Sequence, residues 1–500
     1  MSPDIPLHSG SGARSRASGD AIAHRNAGEL DGEGAVVDLS VPRRVHVVGI
    51  GGAGMSAIAS VLVAMGHRVS GSDLKASGGL DRLAALGVEV HVGHDAANVG
   101  DAELVAVSTA IPEHNVEVQA AHERGIPVLR RAEILRAIAA LRRTVAVAGT
   151  HGKTTTSSML ALVLLEAGLQ PSFIIGGDVN EIGSGASWAD GDLFVVEADE
   201  SDGTFVELGA EAVIVTNIEP DHLDFYGTFD KLVDAFERFV RSAPGPRVLC
   251  ADDDNTRALA ERLRDDGVDV ATYGTHEIAD YRIVGADRTG TGTRLDVAGP
   301  GGTYLLELPV PGMHNARNAT AAFVMGLLLG AEPDAGLRAL GRFGGVARRF
   351  EFRGEVGGVT FVDDYAHLPT EVAAVISAAR DGAWSRIVCV FQPHRYSRTE
   401  ALWRDFADAF EGADVIAITD VYPAGERPRP GVTGRLVANA VLDAHPWHRV
   451  AYLPRRDDLV TYLRQELRPG DLCLTLGAGD ITSLPDELQA ALATRTATTT

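Results

Sequence analysis

Residues 145–156 constrain the fold of this chain more than any other stretch. An apolar run, a short turn with two glycines and a Lys-Thr pair follow one another, and the residues after them read as a helix. Such a strand, loop and helix directs backbone N–H groups at phosphate oxygens. The sequence therefore predicts an α/β domain with a nucleoside triphosphate site, and a glycine-rich turn before an ordinary helix is the alternative interpretation.

The loop is a shortened form of the common phosphate-binding pattern, because Val147 stands where that pattern has a glycine. The ammonium group of Lys153 is expected to neutralise the β and γ phosphates of a nucleoside triphosphate, and the hydroxyl of Thr154 to bind Mg²⁺. The residues predicted to surround the phosphates are Gly149, Thr150, His151, Gly152, Lys153, Thr154 and Thr155.

Length and composition limit the class of protein. The 500 residues suffice for three domains, and 45% of them are hydrophobic, which is enough for several cores. The net charge of -23 argues against a nucleic-acid partner or an anionic membrane, since both require a basic surface. Cys250, Cys389 and Cys473 are far apart in apolar runs, which predicts reduced core cysteines in the cytoplasm. No run of apolar residues is long enough for membrane insertion, and residues 1–40 are predicted to form a disordered leader.

A second glycine loop follows the apolar residues 45–48. Residues 49–54 have the spacing G-x-G-x-x-G, and Asp73 ends the next predicted strand. This arrangement is typical of a Rossmann domain that binds a dinucleotide such as NAD. The same loop can also hold the diphosphate of a UDP-sugar, so the sequence leaves both ligands open.

Acidic and histidine residues follow two further predicted strands. Glu197 ends the apolar residues 193–196, and His222 lies shortly after the apolar residues 212–218. Parallel strands present their carboxyl ends at one edge of a sheet, where α/β proteins bind ligands. We expect Glu197 to be a second Mg²⁺ ligand and His222 to lie at the same edge as Lys153, although a solvent-exposed or hydrogen-bonded histidine is the alternative.

The remaining candidate residues lie in the second half of the chain. Asn315 and Asn318, one helical turn apart, can both face a planar base, although Asn315 also suits a helix cap. Asp364, Tyr365 and His367 follow another predicted strand and indicate a ligand-binding edge. Two polar loops at successive strand ends predict a second ligand-binding face: residues 392–398, which include His394 and Arg395, and residues 421–426. The glycine turn at residues 477–480 follows one more predicted strand.

Taken in order, these motifs resemble those of the Mur ligase family. The resemblance runs from about residue 43 to about residue 484 and rests on the motifs that begin at Gly49, Gly149, Glu197, Thr216, His314, Arg348, Asp363 and Gln392. It implies three α/β domains: a Rossmann-like N-terminal domain at 41–141, a central P-loop ATPase domain with a mainly parallel sheet at 142–345, and a Rossmann-like C-terminal domain at 346–490. Residues 491–500 are expected to form a flexible tail.

The resemblance further implies an ATP-dependent ligase that joins L-alanine to the lactyl carboxylate of UDP-N-acetylmuramate through an acyl phosphate. Lys153, His222 and Arg349 would act at the transferred phosphoryl group, and Thr154, Glu197 and His222 would bind Mg²⁺. Asn315 and Asn318 would face adenine, and Asp364 the ribose. The residues implied to bind the nucleotide sugar are Gly49, Gly51, Gly52, Gly54, Met55, Ser56, Ser72 and Asp73, and those implied to bind alanine are Tyr365, His367, His394 and Arg395.

Two departures from the family pattern and several alternatives remain. Leu368 replaces a histidine, and Val116 replaces the proline of an Asn-Pro-Glu motif. A related ligase that adds a whole peptide, an NAD-linked oxidoreductase and a non-catalytic UDP-sugar sensor are the alternatives. The latter two need no magnesium-triphosphate site. The sequence does not distinguish a monomer from a dimer.

Overall fold

The computed structural model describes residues 37–289 and 292–497. The predicted leader lies outside the described residues up to residue 36, whereas its last residues are ordered and Leu39 is buried. Within the described ranges, no helix is both long and apolar enough to cross a membrane.

The N-terminal segment is a parallel sheet with helices packed against it. Its elements are β1 Arg44–Val48, α1 Ala53–Ala64, β2 Arg68–Asp73, α2 Gly78–Ala85, β3 Glu89–Val92, a 3-10 turn Ala96–Val99, β4 Leu104–Val107, α3 Val116–Glu123, β5 Val128–Arg130 and α4 Arg131–Ala139. The strand order is β3-β2-β1-β4-β5, with all neighbours parallel. This order reverses direction at β1, so the glycine loop after β1 lies at the switch point where Rossmann domains bind ligands. The predicted Rossmann-like domain is confirmed.

The central segment is a larger mixed sheet. Its elements are β6 Arg143–Ala148, α5 Lys153–Glu166, β7 Ser172–Val179, β8 Ser184–Ser187, β9 Leu193–Glu197, 3-10 turns Glu200–Asp202 and Thr204–Glu207, β10 Ala212–Val215, α6 Leu223–Tyr226, α7 Phe229–Ser242, β11 Arg247–Cys250, α8 Asp254–Asp265, β12 Ala271–Gly274, β13 Tyr281–Thr289, β14 Gly292–Gly299, β15 Gly302–Leu308, α9 Met313–Leu328 and α10 Pro333–Leu340.

The order of these strands is β15-β14-β13-β12-β11-β10-β6-β9-β7-β8. The strands from β13 to β7 pair in parallel, and β8, β14 and β15 add antiparallel edges. The helices α5 and α9 bury apolar side chains such as Met159 and Phe323 against the sheet. Because β9 and β10 flank β6 in parallel, the phosphate loop, Glu197 and the segment before His222 emerge at one edge, as predicted.

The C-terminal segment forms a third sheet. Its elements are β16 Glu351–Val356, β17 Val359–Asp364, α11 Pro369–Arg380, β18 Arg386–Phe391, α12 Tyr396–Leu402, β19 Val415–Ile418, α13 Arg435–Ala444, β20 Val450–Tyr452, α14 Arg456–Glu466, β21 Asp471–Leu476, a 3-10 turn Asp480–Ser483 and α15 Leu484–Ala497. The order is β16-β17-β21-β18-β19-β20, with only β16 antiparallel to its neighbour.

Two predictions bear on the packing of this last segment. The helix α15 extends to Ala497, so most of the predicted flexible tail is helical, and Leu492 packs into the core beneath it. The three cysteines are buried and unpaired with one another, so their predicted place in the core is confirmed.

Candidate active site

The phosphate loop connects β6 to α5 with a backbone that only glycine adopts easily. Gly149 has φ of +135° and Gly152 has φ of +80°. A Cβ on Gly149 would collide with the hydroxyl of Thr216 at the end of β10. The amide of His151 donates to Oδ1 of Asn217 at 2.8 Å, so the loop is fixed against the neighbouring strand. Its amides and the start of α5 are thereby oriented for an anion.

Lys153 lies at the beginning of α5 and is held by Glu200. Its Nζ donates to both carboxylate oxygens of Glu200 at 2.9 Å and to the carbonyl oxygen of Gly149 at 2.5 Å. Burial would lower the pKa of Lys153, but the carboxylates of Glu200 and Asp199 raise it above its ordinary value. The ammonium group is therefore charged at neutral pH. The sequence analysis did not identify Glu200, although the acidic run after β9 contains it.

Thr154 and Glu197 lie together, as predicted for two ligands of one Mg²⁺. The hydroxyl of Thr154 donates to Oε2 of Glu197 at 3.2 Å, and the amide of Gly176 donates to Oε1 at 2.6 Å. Burial raises the pKa of Glu197, and the positive charges of Lys153 and Arg349 act against that shift. A hydroxyl and a carboxylate are hard oxygen donors that suit Mg²⁺, which keeps water and substrate phosphate as its other ligands. Within residues 37–289 and 292–497, no group of three His, Cys, Asp or Glu side chains that could hold a metal is found.

A cavity of about 310 Å³ lies beside the loop, between the central and the C-terminal segments. The predicted nucleotide-binding residues that line it are His151, Gly152, Thr155, Asn315, Asn318, Arg349 and Asp364. Asn318 approaches Gly152 so closely that a Cβ there would lie 2.6 Å from its amide oxygen. The amide of Asn315 donates to the carbonyl oxygen of Pro311 at 2.7 Å, so part of its role is to hold the start of α9.

The carboxyl group of Asp364 ends β17 in the wall of this cavity. It accepts hydrogen bonds from the amides of Phe350 and Ala366, each at 2.7 Å. Burial raises the pKa of Asp364 to about 6, although the nearby guanidinium of Arg349 opposes the shift. That guanidinium lies 5.1 Å from the ring centre of Tyr365, an arrangement that keeps a cation over the cavity.

Several polar residues of the cavity were not identified as site residues in the sequence, among them His314, Arg317 and Asp252. Nε of Arg317 donates to Oδ2 of Asp252 at 2.6 Å, and burial together with Arg317 and Arg349 lowers the pKa of His314 to about 4. His314 is therefore neutral at physiological pH. Two signals in the sequence point to these residues. His314 and Arg317 belong to the motif that contains the two asparagines, and Asp252 follows the end of β11.

His222 does not line the same cavity as Asn318 and Arg349. It lies in a neighbouring cavity of about 100 Å³, together with Asp221, Arg395 and Arg398. Its backbone is left-handed, with φ of +53°, and its Nε2 lies 3.3 Å from a carboxylate oxygen of Asp221. Nη2 of Arg398 also lies 3.3 Å from that carboxylate, so the C-terminal segment contacts the His222 loop directly.

The four residues predicted to bind alanine lie close to this second cavity. The rings of Tyr365 and His367 are 5.4 Å apart, and those of His367 and His394 are 5.6 Å apart. Burial lowers the pKa of His367 to about 4 and that of His394 to about 3. Both rings are neutral, so Arg395 and the overlooked Arg398 are the cations of this group. Nη1 of Arg398 lies 3.1 Å from Nδ1 of His394.

The first glycine loop is held by the two residues that end β2. The amide of Gly51 donates to the Asp73 carboxylate at 2.9 Å, and the carbonyl oxygen of Ser72 accepts from the amides of Gly49 and Ile50 at 2.9 and 3.0 Å. The Ser72 side chain is completely buried, and its hydroxyl donates to Glu117 at 2.5 Å. Ser72 therefore supports the loop from behind instead of presenting its hydroxyl to a ligand. Gly52, Gly54 and Ser56 lie at the start of α1, whereas the Met55 side chain is buried in the core.

Glu117 explains the motif that departs from the family pattern. It is fully buried beneath the loop. Burial alone would raise its pKa, but the nearby imidazole of His46, 3.8 Å away, and hydrogen bonds from Ser72 and Asn98 lower it to about 2. The glutamate is therefore a buried anion that ties β1, β2 and α3 together, and Val116 in place of proline leaves this arrangement intact.

Arg131, which the sequence analysis missed, lies between the first glycine loop and the acidic residues that follow β9. It begins α4, and its Nε would lie 2.8 Å from a Cβ on Gly54. Its Nη1 lies 3.4 Å from the carboxylate of Asp199, next to the partner of Lys153.

Comparison with protein families covers most of the chain. Residues 44–143 match the profile described as Mur ligase family, catalytic domain, residues 147–326 match the Mur ligase middle domain, and residues 348–479 match the Mur ligase, glutamate ligase domain.

Individual relatives are similar over nearly their whole length. The UDP-N-acetylmuramate–L-alanine ligase of Rubrobacter xylanophilus is 47% identical, over 90% of this chain and 100% of that protein. The enzyme of the same name from Saccharopolyspora erythraea is 49% identical, over 89% and 93%. The crystal structure of UDP-N-acetylmuramate-alanine ligase from Thermotoga maritima superposes with a TM-score of 0.75 at 28% identity, over 92% of this chain and 100% of that one. A murein peptide ligase from Psychrobacter arcticus shares the fold, with a TM-score of 0.66 at 23% identity, over 90% and 98%.

Proposed function

The chain belongs to the Mur ligase family, and we propose that it joins L-alanine to UDP-N-acetylmuramate at the expense of ATP, in peptidoglycan synthesis. The observation that carries the proposal is the arrangement around the phosphate loop. Lys153 and Thr154 at the start of α5 lie close to Glu197 at the end of β9, beside a cavity between two domains. Neither an NAD-linked oxidoreductase nor a sugar sensor requires such a triphosphate site. The choice of alanine rests on the full-length relatives.

In this reaction the lactyl carboxylate attacks the γ phosphorus of ATP, the bond from that phosphorus to the bridging oxygen breaks, ADP leaves and an acyl phosphate forms. The amine of L-alanine then attacks the acyl carbon, and inorganic phosphate leaves as the amide forms. Lys153 would stabilise the negative charge of the transferred phosphoryl group, and Arg349 would contribute a second cation from the C-terminal domain. Contact between the domains would keep water from the acyl phosphate.

The oxygen donors of Thr154 and Glu197 would hold Mg²⁺, and His222 would contribute to a second ion from the neighbouring cavity. Bound Mg²⁺ would supply positive charge to the phosphate oxygens. Asn315 and Asn318 would face adenine, and Asp364 would accept a hydrogen bond from the ribose.

The other substrates are assigned to the remaining residues. The loop of Gly49, Gly51, Gly52 and Gly54, supported by Asp73, would hold the diphosphate of the nucleotide sugar. The side chains of Tyr365, His367, His394 and Arg395 would surround L-alanine, with Arg395 facing its carboxylate. The family profiles support domain boundaries of 41–141, 142–345 and 346–490. Use of ATP together with reduced cysteines supports a cytoplasmic location.

The test is phosphate release from Mg-ATP in the presence of UDP-N-acetylmuramate and each of the 20 amino acids in turn. We expect release that requires both substrates, is greatest with L-alanine and is lost in Lys153→Ala. Lys231 is exposed and remote from the loop, so Lys231→Ala is the matched control and should retain activity. Release that proceeds only with a peptide would favour the peptide-adding ligase, and sugar binding without ATP turnover would favour the sensor.

A further inference from the structure

A cluster of four polar side chains joins the phosphate loop to the C-terminal domain. His151 belongs to the loop, Glu219 follows β10, and Thr370 and Glu371 lie in the first turn of α11. Nδ1 of His151 lies 3.1 Å from Oε1 of Glu371, and its Nε2 lies 3.1 Å from Oε2 of Glu219. The hydroxyl of Thr370 donates to the same Glu219 oxygen at 2.7 Å. We call these four residues the interdomain clasp.

The charges of the clasp favour its closed form. Burial would lower the pKa of His151, but the carboxylates of Glu371 and Glu219 raise it to about 9. Burial would likewise raise the pKa of Glu371, but the charged His151 beside it holds that pKa well below its usual range. The imidazolium of His151 therefore lies between two carboxylates. Hydrogen bonds between charged groups are stronger than neutral ones, and a partly buried site weakens their screening.

Each member of the clasp is fixed by its own domain. Oε2 of Glu371 accepts from the amides of His367 and Leu368 at 2.8 and 3.1 Å, which fixes the carboxylate at the start of α11. On the other side, the carbonyl oxygen of His151 accepts from the hydroxyl of Thr216 at 2.5 Å. The backbone of the phosphate loop is therefore connected to the start of α11 through the His151 and Glu371 side chains, and hydrogen bonds within each domain restrict both ends of this connection.

On the basis of the proposed function, we infer that Thr370 and Glu371 are positioning residues, which hold the phosphate loop in its anion-binding conformation when the C-terminal domain is docked. The side chain of His151 carries this contact, and the loop amides remain directed at the phosphates. Movement of α11 away from the central domain would break the contacts of His151 with Glu371 and of Glu219 with Thr370, so that the loop would keep only the clasp contact between His151 and Glu219. Phosphoryl transfer would then be restricted to the docked arrangement, in which water is kept from the acyl phosphate.

The same two domains offer a matched control contact. Nη1 of Arg288 on β13 lies 3.5 Å from Oδ2 of Asp381, at the opposite end of α11 from the clasp. This pair joins the domains but touches no part of the phosphate loop. Arg288→Gln therefore removes an interdomain contact of similar chemistry and leaves the clasp in place.

The experiment measures amide hydrogen exchange of residues 150–155 in the full-length protein without nucleotide. Thr370 is exposed, so Thr370→Val removes only its hydroxyl, and Thr370→Ser retains it. We expect the exchange rate to rise about tenfold in Thr370→Val and in Glu371→Gln. This rise corresponds to a decrease of about 1.4 kcal/mol in the free energy of opening the loop. Thr370→Ser and Arg288→Gln should match the wild type.

Steady-state kinetics provide the second readout. Thr370→Val is expected to lower kcat about tenfold while KM for UDP-N-acetylmuramate stays unchanged, and Thr370→Ser should restore kcat. Unchanged loop exchange in Thr370→Val and Glu371→Gln would overturn the inference, as would an equal rise in Arg288→Gln. A wild-type protein without ligase activity would refute the proposed function instead, and the exchange data would still decide the role of the clasp.

Discussion

Replacement of Lys153 by methionine should separate the structural role of this residue from its catalytic role. Lys153 is 18% exposed and Glu200 only 2%, and both Glu200 oxygens lie 2.9 Å from the ammonium nitrogen. Methionine keeps most of the aliphatic stem but leaves the Glu200 carboxylate buried without its cation. Removal of one partner of a buried ion pair destabilises a protein by about 3–5 kcal/mol.

This loss of stability can be measured by thermal unfolding followed by circular dichroism. A domain of 150–250 residues loses about 2–4 °C per kcal/mol, so we expect the midpoint of the central domain to fall by about 10 °C. The double variant Lys153→Met/Glu200→Gln removes the unpaired charge and should recover at least half of this loss. Phosphate release should be about 10²–10³-fold lower in both variants, because the catalytic cation is absent from each.

Two outcomes would refute this reasoning. If Lys153→Met unfolds within about 1 °C of the wild type, the ion pair contributes too little to matter. If the double variant unfolds no later than the single one, the destabilisation does not come from the Glu200 charge. Lys231→Met, at an exposed position, is the control for loss of a positive charge.

Three further changes test other parts of the structure. Gly152→Ala should cost about 1–3 kcal/mol and raise KM for ATP, because φ is +80° and the new Cβ would lie 2.6 Å from Oδ1 of Asn318. Gly168→Ala, with φ of +74° and open space around it, should show the backbone strain alone in the same unfolding assay. Because burial raises the pKa of Asp364 to about 6, its protonated form stabilises the folded protein at low pH, and this contribution is lost as pH rises through about 6. As pH rises from 4 to 6, the free energy of unfolding of the wild type should therefore fall relative to that of Asp364→Asn, as measured by denaturant unfolding. Arg386→Met should destabilise the C-terminal domain by about 3–5 kcal/mol in thermal unfolding, since it leaves the buried Asp471 carboxylate without its cation, whereas Glu466 retains Arg449; a loss below about 1 kcal/mol would contradict the assignment of a buried pair.

Local sequence patterns predicted the elements that carry the phosphate site. The apolar run, the glycine turn and the Lys-Thr pair give β6, the loop and α5, because each of these signals acts between near neighbours along the chain. Glu197 was found in the same way, at the end of a buried strand. The roles proposed for these residues at bound substrates stay predictions.

Other features depend on contacts that no local pattern contains. The strands β13, β14 and β15 pair as antiparallel hairpins at one edge of the central sheet. The alternation of apolar and polar residues in a strand does not by itself show whether the strand lies in the centre or at the edge of a sheet. Ser72 was expected to take part in binding the nucleotide sugar, and its hydroxyl donates to the buried Glu117 in the core.

The sequence by itself determined the two glycine loops, the order of the α/β segments and the residue types available for phosphate and metal binding. Those properties depend on backbone conformation and hydrophobic periodicity over a few residues. Only the tertiary structure decided which charges meet: Glu200 at Lys153, Arg398 at Asp221, and Glu371 at His151, 220 residues away in the chain. Whether two charges meet depends on how the chain folds. The electrostatic energy of a pair varies with the distance between the two charges and with their burial, and not with their separation along the sequence.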